Sequence, residues 1–348
     1  MLKYIARRLL VLPAILIVVT LVLFVLILQV PAEERVRVYL PSVRSNLSEE
    51  DYERLIQITI ERYGLNRPLF VQYIDWVTNL IKGDWGYSPT WREPVLDGLL
   101  RRAPATLELT LFALVPAILL AVVLGRSAAL RRGRLADHLV RSAAFLGWAF
   151  PPFVLALMLI NVAYAQTGWF PPGRMSIWAS PIVNGDTFQA FTGLLTVDAL
   201  LNGELRIFWD AIRHLILPAT CLALAEWALL ARVMRASLLE VQGQDYITTA
   251  RAKGLSEVQV LKRHATRNAL LPVISTAGVT PPLLITGVTV VEVVFNFNGV
   301  GRWAVNGFLN TEIPVTVGFA LFTCLITVLS SLLADLIYAV VDPRVRLY

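Results

Sequence analysis

The chain has 348 residues, of which 56% are hydrophobic and only 16% are charged, and its mean hydropathy is +0.63. Soluble domains are about one quarter charged, and a soluble protein of this length would leave too much apolar surface in water. The composition therefore excludes a soluble fold and predicts an integral membrane protein. The net charge of +6 does not indicate a nucleic-acid partner, because the basic residues cluster in loops at the ends of apolar runs. Both cysteines, Cys221 and Cys324, lie inside apolar runs and form neither a metal-ligand nor a disulfide pattern.

Six apolar runs approach the roughly 20 residues that a transmembrane helix needs. They are Leu9–Val30, Ala103–Gly125, Ser142–Gln166, Ile212–Val233, Ala269–Val291 and Pro314–Val340. The first run follows basic residues, as in a signal peptide. However, it exceeds the usual apolar region of about 7–15 residues and no A-x-A-like site follows it, so we expect it to be retained. The fourth run is the weakest, because Glu226 and Arg232 interrupt it. The expected fold class is all-α, with six transmembrane helices.

Lysines and arginines near the span ends predict the orientation. The loop 126–141 holds five arginines and the loop from Arg232 to Asn268 holds seven basic residues. With six spans, these loops and both termini fall on one side, which is predicted to be cytoplasmic. A helix is expected near Glu49–Tyr63, ended by Gly64. The predicted organisation is, in chain order, a cytoplasmic end with the first helix (1–30), an external subdomain (31–102), a five-helix core (103–341) with the cytoplasmic loop 234–268, and a cytoplasmic C-terminus (342–348).

The cytoplasmic loop carries an ordered pattern, which reads DYITTARAKGLSEVQVLKRHATRNALLPV from Asp245 onward. Asp245 can cap a first helix, and Gly254 suits the position just after its end. Ser256 and Gln259 then form a capping-box pattern that starts a second helix. The apolar side of that second helix is given by Val258, Val260 and Leu261. The pattern predicts a helix–Gly–helix elbow at 245–267 (the elbow), whose small and polar residues suit docking into a groove of another protein.

The TARAKGL…H…RN…LP pattern resembles the loop of ABC importer permeases, in the variant of the EAA motif found in dipeptide, oligopeptide and nickel permeases. The resemblance extends over nearly the whole chain. Its other segments are YGLNRPL (63–69), GDWGYS (83–88), RAPATLEL (102–109), PPF (151–153), GWFPPG (168–173), HLILPA (214–219), ARVMRASLLE (231–240), VVEVVFNFNGVG (290–301) and DPRVR (342–346). One segment departs from the family: QVPAEERVRVYLP follows the first span, where a short Pro-Gly-Asp-like turn is usual.

The resemblance implies a type I ABC importer permease fold with an external subdomain between helices 1 and 2. It also implies that the chain is the membrane-spanning permease subunit of an ATP-driven importer in the cell (inner) membrane. A second, related permease would complete a pseudo-symmetric heterodimer in the lipid bilayer. Two ATP-binding subunits would supply the energy, and an extracytoplasmic binding protein would deliver the substrate. Peptides are the first expectation among the family's substrates, which also include nickel and some sugars.

The resemblance further implies that the elbow is the loop that couples the permease to its ATPase subunits. The residues that match this motif are Asp245, Tyr246, Thr249, Ala250, Arg251, Ala252, Lys253, Gly254, Leu255, His264 and Asn268. Other interpretations stay open for some of them. Arg251 and Lys253 also fit plain positive-inside topology. His264 also fits a capping or solvated histidine, and an ordinary C-cap role for Gly254 is compatible with coupling.

Glu226 is a carboxylate within the predicted fourth span, where the family tends to have a small residue. An ionisable residue inside a membrane is a functional hypothesis by default. Glu226 could line the translocation pathway and meet a cationic group of the substrate. Alternatively, it could pair with Arg232 six residues later or lie near the cytoplasm.

Catalytic motifs are absent from the sequence. There is no G-x-x-x-x-G-K-[ST] phosphate loop, no H-E-x-x-H or G-x-S-x-G, and the three histidines, His138, His214 and His264, are scattered. We therefore expect no enzyme activity, metal or cofactor in this chain, with ATP and Mg bound by partner subunits. The alternative is an ion-coupled secondary transporter, which would favour internal repeats and buried carboxylates. No repeat is evident, and Glu226 is taken as the only strong mid-span acid.

Overall fold

The fold comes from a computed structural model, which describes residues 2–31, 35–36, 49–62 and 64–341. The described chain is almost entirely helical and divides into two compact units. The N-terminal unit contains Leu2–Ala103 and Trp303–Leu325, and the core unit contains Pro104–Arg302 and Ile326–Tyr348. The predicted C-terminus at 342–348 and most of the divergent segment after the first span lie outside the described residues.

Helices of very different lengths follow one another along the chain, with one short β-ladder between them. The elements are α1 (Leu2–Leu28), α2 (Glu49–Arg62), α3 (Leu69–Ile81), β1 (Tyr87–Ser88), β2 (Glu93–Pro94), α4 (Val95–Leu130), α5 (Leu135–Ala149), α6 (Pro152–Ile160) with a π-helical turn (Asn161–Ala165), α7 (Ser180–Val183), α8 (Leu195–Leu201), α9 (Leu205–Gln242), α10 (Asp245–Ala252), α11 (Glu257–Gln259) with a π-helical segment (Val260–Ala265), α12 (Thr266–Val279), α13 (Pro281–Val294), α14 (Val300–Leu309) and α15 (Ile313–Val341).

The N-terminal unit confirms the expected helix near Glu49–Tyr63. This helix, α2, ends at Arg62, and Gly64 follows with a φ of 65°. Helices α1 and α3 pack through aromatic rings, with the Phe24 ring centroid 5.4 Å from that of Tyr73. Strands β1 and β2 pair in an antiparallel arrangement. The backbone N–H of Thr90, in the turn between them, donates a hydrogen bond at 2.8 Å to the side chain of Glu312, from the C-terminal part of this unit.

Within the described residues, three helices are long and apolar enough to cross a membrane: Val95–Leu130, Leu205–Gln242 and, within α15, Ile313–Ala334. A fourth span results if α5 and the helix Pro152–Ala165 are counted together. The apolar part of α1, Pro13–Leu28, is shorter, and the predicted fifth span is divided between α12 and α13. The chain is thus a multi-pass helical protein, and the count of six spans stays a prediction.

The predicted third span, Ser142–Gln166, is divided between two helices. Helix α5 ends at Ala149, and the next helix begins at Pro152 after a bend of 100°. Pro151 and Pro152 explain the break, since neither has a backbone N–H to continue the helical hydrogen bonds and each ring clashes with the preceding turn.

Helix α9 is the central element of the core unit. It runs for 38 residues without a break at Glu226 or Arg232, and it includes the first nine residues of the segment 234–268. Small residues let α4 approach α9 closely. A Cβ on Gly125 would lie 2.7 Å from the carbonyl oxygen of Ala231, so a larger residue there would force the two helices apart.

Candidate functional site: the helix–Gly–helix elbow

The first helix of the elbow, α10, is anchored to the core unit by one face only. Ile247 and Ala250 are buried and lie three residues apart, which places them on the same side of the helix. They pack in a cluster with Val260, Ala265 and Ala269 from the following segments. The remaining side chains of α10 are exposed. Helix α10 is therefore anchored to the core unit through Ile247 and Ala250, and its other side chains form an exposed, largely polar surface.

Gly254 confirms the predicted helix end. Lys253 is the C-cap of α10, and Gly254 follows with a φ of 78°. The N–H of Gly254 donates to Arg251 O at 2.9 Å, and the N–H of Leu255 donates to Ala250 O at 3.4 Å. These two bonds are the pair that defines a Schellman motif. A Cβ on Gly254 would meet no atom within 4 Å, so glycine is favoured by backbone conformation and not by space.

The start of the second helix also confirms its prediction. The N–H of Gln259 donates to Ser256 Oγ at 3.4 Å, and the N–H of Ser256 donates to Gln259 Oε1 at 3.0 Å, which completes the capping box. The regular α-helical part is only three residues long and continues through the π-helical segment into α12. Val258 was predicted on the apolar side, but its side chain is 71% exposed, and Val260 is the buried residue.

Polar contacts tie the elbow together on its exposed side. Arg251 Nε donates to Glu257 Oε1 at 2.7 Å across the Gly254 turn, and Asn268 Nδ2 donates to the Tyr246 hydroxyl at 3.1 Å. The prediction that Asp245 is the N-cap is wrong. Gln244 occupies that position without a side-chain hydrogen bond. Asp245 is the first helical residue, where its negative charge interacts favourably with the positive end of the helix dipole.

The remaining predicted site residues divide between surface and interior. Thr249, Ala252 and Lys253 are exposed, whereas Leu255 is partly buried against the core. His264 is partly buried near the end of the π-helical segment, which continues directly into α12, so it does not cap a helix end. The elbow thus brings most of the predicted residues onto one accessible surface. Such a rigid, exposed helix with a fixed turn is suited to fit a groove on a partner protein.

Glu226 lies in α9 and is 92% buried, since only 8% of its surface is exposed. Pairing with Arg232 is wrong: Arg232 Nε donates to Ala228 O at 3.2 Å, and its guanidinium lies 5.2 Å from the ring centroid of Trp148. Within the described part of the chain, Glu226 Oε2 has no hydrogen-bond partner. A cavity of about 510 Å³ opens between α4 and α9, and Trp227, the next residue, lines it. Glu226 is not among its lining residues.

Comparison with known proteins gives the family. Residues 121–347 match the family model described as "Binding-protein-dependent transport system inner membrane component", and residues 1–110 match the model for the N-terminal part of such membrane components. The chain belongs to this family. It is therefore a multi-pass protein of the inner-membrane part of a transport system, as its apolar helices also indicate.

Relatives in the family match the chain over almost its entire length. It is 37% identical to the di/tripeptide transport system permease protein of Pseudomonas aeruginosa, over 99% of each chain. It is also 37% identical to the oligopeptide transport system permease protein of Bacillus subtilis, over 99% of this chain and all of the relative. Identity to the dipeptide transport system permease protein of Escherichia coli is 35% over 99% of each. These relatives are permease proteins by name, which confirms the predicted resemblance.

Two buried carboxylates of this family member were missed by the sequence analysis, which took Glu226 as the only strong mid-span acid. Glu108 lies in the predicted second span and is 2% exposed. Its Oε1 accepts hydrogen bonds at 2.7 Å from both the N–H and the hydroxyl of Thr196, and its Oε2 accepts one from Arg174 at 3.0 Å. Glu108 therefore ties the segment 168–213 to α4.

Glu292 is the second missed carboxylate, and it organises the NFNGVG turn after α13. It is fully buried and accepts hydrogen bonds from the Thr106 hydroxyl at 2.6 Å and from the Arg302 N–H at 2.9 Å. A Cβ on Gly299 would lie only 2.0 Å from Glu292 Oε1, so the turn can wrap this carboxylate only with glycine there. The signal in the sequence was a glutamate at the end of an apolar run followed by Gly-x-Gly.

Proposed function

We propose that the chain is the permease subunit of an ABC importer that translocates dipeptides or oligopeptides. The observation that carries the proposal is the 35–37% identity to three peptide-transport permease proteins over 99% of this chain. A match of this length includes the spans, the segments between them and the elbow together. An ion-coupled secondary transporter is not favoured, because the family consists of components of binding-protein-dependent systems.

The proposed route of energy is through the elbow. Ile247 and Ala250 anchor α10 in the core unit, and the exposed face with Tyr246, Thr249 and Lys253 would dock on an ATP-binding subunit. ATP and Mg would be bound by two such subunits and not by this chain. The Schellman turn and the capping box support this role, because a helix that transmits force needs ends that do not fray.

The proposed assembly contains a second, homologous permease and an extracytoplasmic binding protein that delivers the substrate. Six spans with both termini in the cytoplasm would place the elbow on the side of the ATP-binding subunits. The segment 31–102 would then form an external subdomain. The arginine-rich loops support this orientation, since lysines and arginines in the short loops between spans mark the cytoplasmic side.

Glu226 is the proposed pathway residue. A buried carboxylate oxygen without a hydrogen-bond partner is costly, and such groups are retained where they serve a function. The amino group of a peptide is a cation that would fit this carboxylate. The cavity between α4 and α9, which is lined by the next residue, Trp227, supplies space for a peptide near Glu226.

The experiment that tests the proposal is co-purification from cells in mild detergent, followed by mass spectrometry and an ATPase assay. We compare the unchanged chain with Lys253→Glu on the elbow. The matched control is Lys82→Glu, which makes the same charge change at an exposed residue after α3. Co-purification of an ATP-binding subunit should fall at least about fivefold with Lys253→Glu, corresponding to about 1 kcal/mol, and should be unchanged with Lys82→Glu.

Uptake of a labelled dipeptide by cells with and without the chain gives the second readout. Loss of peptide uptake on deletion, restored by the chain, supports a peptide substrate. A chain that purifies without any ATP-binding protein, and whose deletion leaves peptide uptake unchanged, would overturn the proposed function.

A further inference from the structure

A second cavity, of about 880 Å³, lies between α5 and α9 in the core unit. Its polar walls come from His138, Arg141 and Ser142 on α5 and from Arg232 and Arg235 on α9. The described residues that line it include no acid. The cavity is therefore a cationic site between two helices, and the proposed function does not use it.

The net charge of this cavity is set by one ion pair at its edge. Arg235 binds Asp137 with two hydrogen bonds, Nε to Oδ1 at 2.7 Å and Nη2 to Oδ2 at 2.9 Å, so its charge is neutralised. Asp137 is 1% exposed and also accepts the N–H of Gly133, so it is fixed in place. Arg141 forms no hydrogen bond or ion pair with the described residues. Arg141 and Arg232 therefore leave about two uncompensated positive charges.

The cavity changes from cationic to apolar along α5. Its remaining lining residues, Phe145 and Leu146, follow Arg141 by about one helical turn and are 71% and 57% exposed. Trp148 continues this apolar surface and is also 57% exposed. On α5 the basic residues lie toward its start, beside the arginine-rich turn 131–134, whereas Arg232 of α9 lies against Trp148, with its guanidinium 5.2 Å from the ring centroid. A molecule that fills this site needs an anionic head and an apolar body directly attached to it.

We infer that this cavity binds the phosphate headgroup of an anionic membrane lipid, with its acyl chains along Phe145 and Leu146. Guanidinium groups suit phosphate because they donate several hydrogen bonds in a planar fork. Basic pockets between transmembrane helices are a recurring way to hold anionic headgroups. A soluble phosphate would use the cationic end and leave the apolar end without a partner. A protein helix would have to bury about two arginine charges, which the apolar surface of a neighbouring span does not offset.

The test measures lipid binding to the full chain, purified and delipidated in mild detergent, by native mass spectrometry. The probes are dioleoyl phosphatidylglycerol, which is anionic, and dioleoyl phosphatidylethanolamine, which has the same chains and a zwitterionic headgroup. The variant is Arg141→Ala, since the Arg141 side chain is exposed and forms no hydrogen bond or ion pair with the described residues. The matched control is Arg132→Ala, which removes another exposed charge from the nearby turn outside the cavity.

The site predicts a preference for phosphatidylglycerol that depends on Arg141. Each arginine near an anionic headgroup contributes enough for roughly a fivefold change in affinity. Arg141→Ala should therefore weaken phosphatidylglycerol binding about fivefold, the double change with Arg232→Ala about 30-fold, and Arg132→Ala should have little effect. Binding of phosphatidylethanolamine should be the same in all variants.

Four outcomes would overturn the inference. Equal affinity for the two lipids would show that the headgroup charge does not matter. An equal loss of phosphatidylglycerol affinity with Arg132→Ala would indicate a diffuse positive surface and not this cavity. Full displacement by soluble glycerol phosphate at matched concentration indicates a free-phosphate site. Cross-linking of a Ser142→Cys variant to another protein chain in the assembled complex shows that a subunit fills the cavity. None of these readouts depends on transport activity, so a failure here is separate from a failure of the proposed function.

Discussion

Replacement of Gly299 by alanine should destabilise the core unit far more than an ordinary glycine change. The new Cβ would lie 2.0 Å from Glu292 Oε1 and 2.3 Å from its Cδ, so the carboxylate must leave its position. Glu292 would then lose the bonds from Thr106 and Arg302 while it remains buried. Removing the partners of a buried charge costs about 3–5 kcal/mol. For a chain of 348 residues we expect a fall in Tm of roughly 4–7 °C.

A double-mutant cycle distinguishes this mechanism from general intolerance of the turn. Glu292→Ala removes the clashing group, so adding Gly299→Ala to it should cost less than about 1 kcal/mol, which means a coupling energy of at least about 2 kcal/mol. Gly287→Ala is the control, because its Cβ would make only an ordinary contact of 3.4 Å with Leu222 in the same region. Thermal unfolding of the purified chain in detergent, followed by tryptophan fluorescence, gives Tm for each variant. The reasoning would be refuted if Gly299→Ala left Tm unchanged, or if the free-energy changes of Gly299→Ala and Glu292→Ala were strictly additive in the double variant.

Three further predictions concern single side chains. Ser256→Ala should remove about 1 kcal/mol of helix stability, seen as faster amide exchange at Gln259; unchanged exchange would contradict a capping role. Glu108→Gln should loosen the segment bound through Thr196, because a neutral amide cannot accept all its hydrogen bonds. We expect faster proteolysis between 168 and 213, and equal cleavage would count against the clamp. Glu226→Gln should raise the KM for peptide uptake if this carboxylate meets the substrate's amino group, whereas unchanged kinetics for every peptide would remove it from the pathway.

Local signals explain which parts of the elbow could be predicted. The Schellman turn at Gly254 and the capping box of Ser256 and Gln259 depend on residues within five positions of one another, so the sequence contains the whole pattern. Asp245 was misassigned because several residues before a helix can accept a hydrogen bond, and here Gln244 holds the cap position without making one. Val258 was misassigned because the helix passes into a π-helical segment, which shifts the buried face to Val260.

Long-range contacts explain what the sequence could not predict. Glu108 is bound by Thr196, 88 residues away, and Glu292 by Thr106, 186 residues away, so neither partner can be found from spacing. The bend at Pro151 was missed because isolated prolines are common inside membrane helices, and the sequence alone does not tell a kink from a break. The arrangement of arginines around the cavity between α5 and α9 likewise exists only once the two helices pack.

The continuous helix α9 has a mechanical consequence. At 1.5 Å per residue its 38 residues extend about 57 Å, well beyond the roughly 30 Å of a bilayer's hydrocarbon core. Pro218 is its one internal proline and leaves arms of about 20 Å toward Leu205 and about 36 Å toward Gln242. The long arm therefore extends well past the point where the proline weakens the helix. Because α10 begins only three residues after Gln242, a tilt of the long arm is passed directly to the elbow.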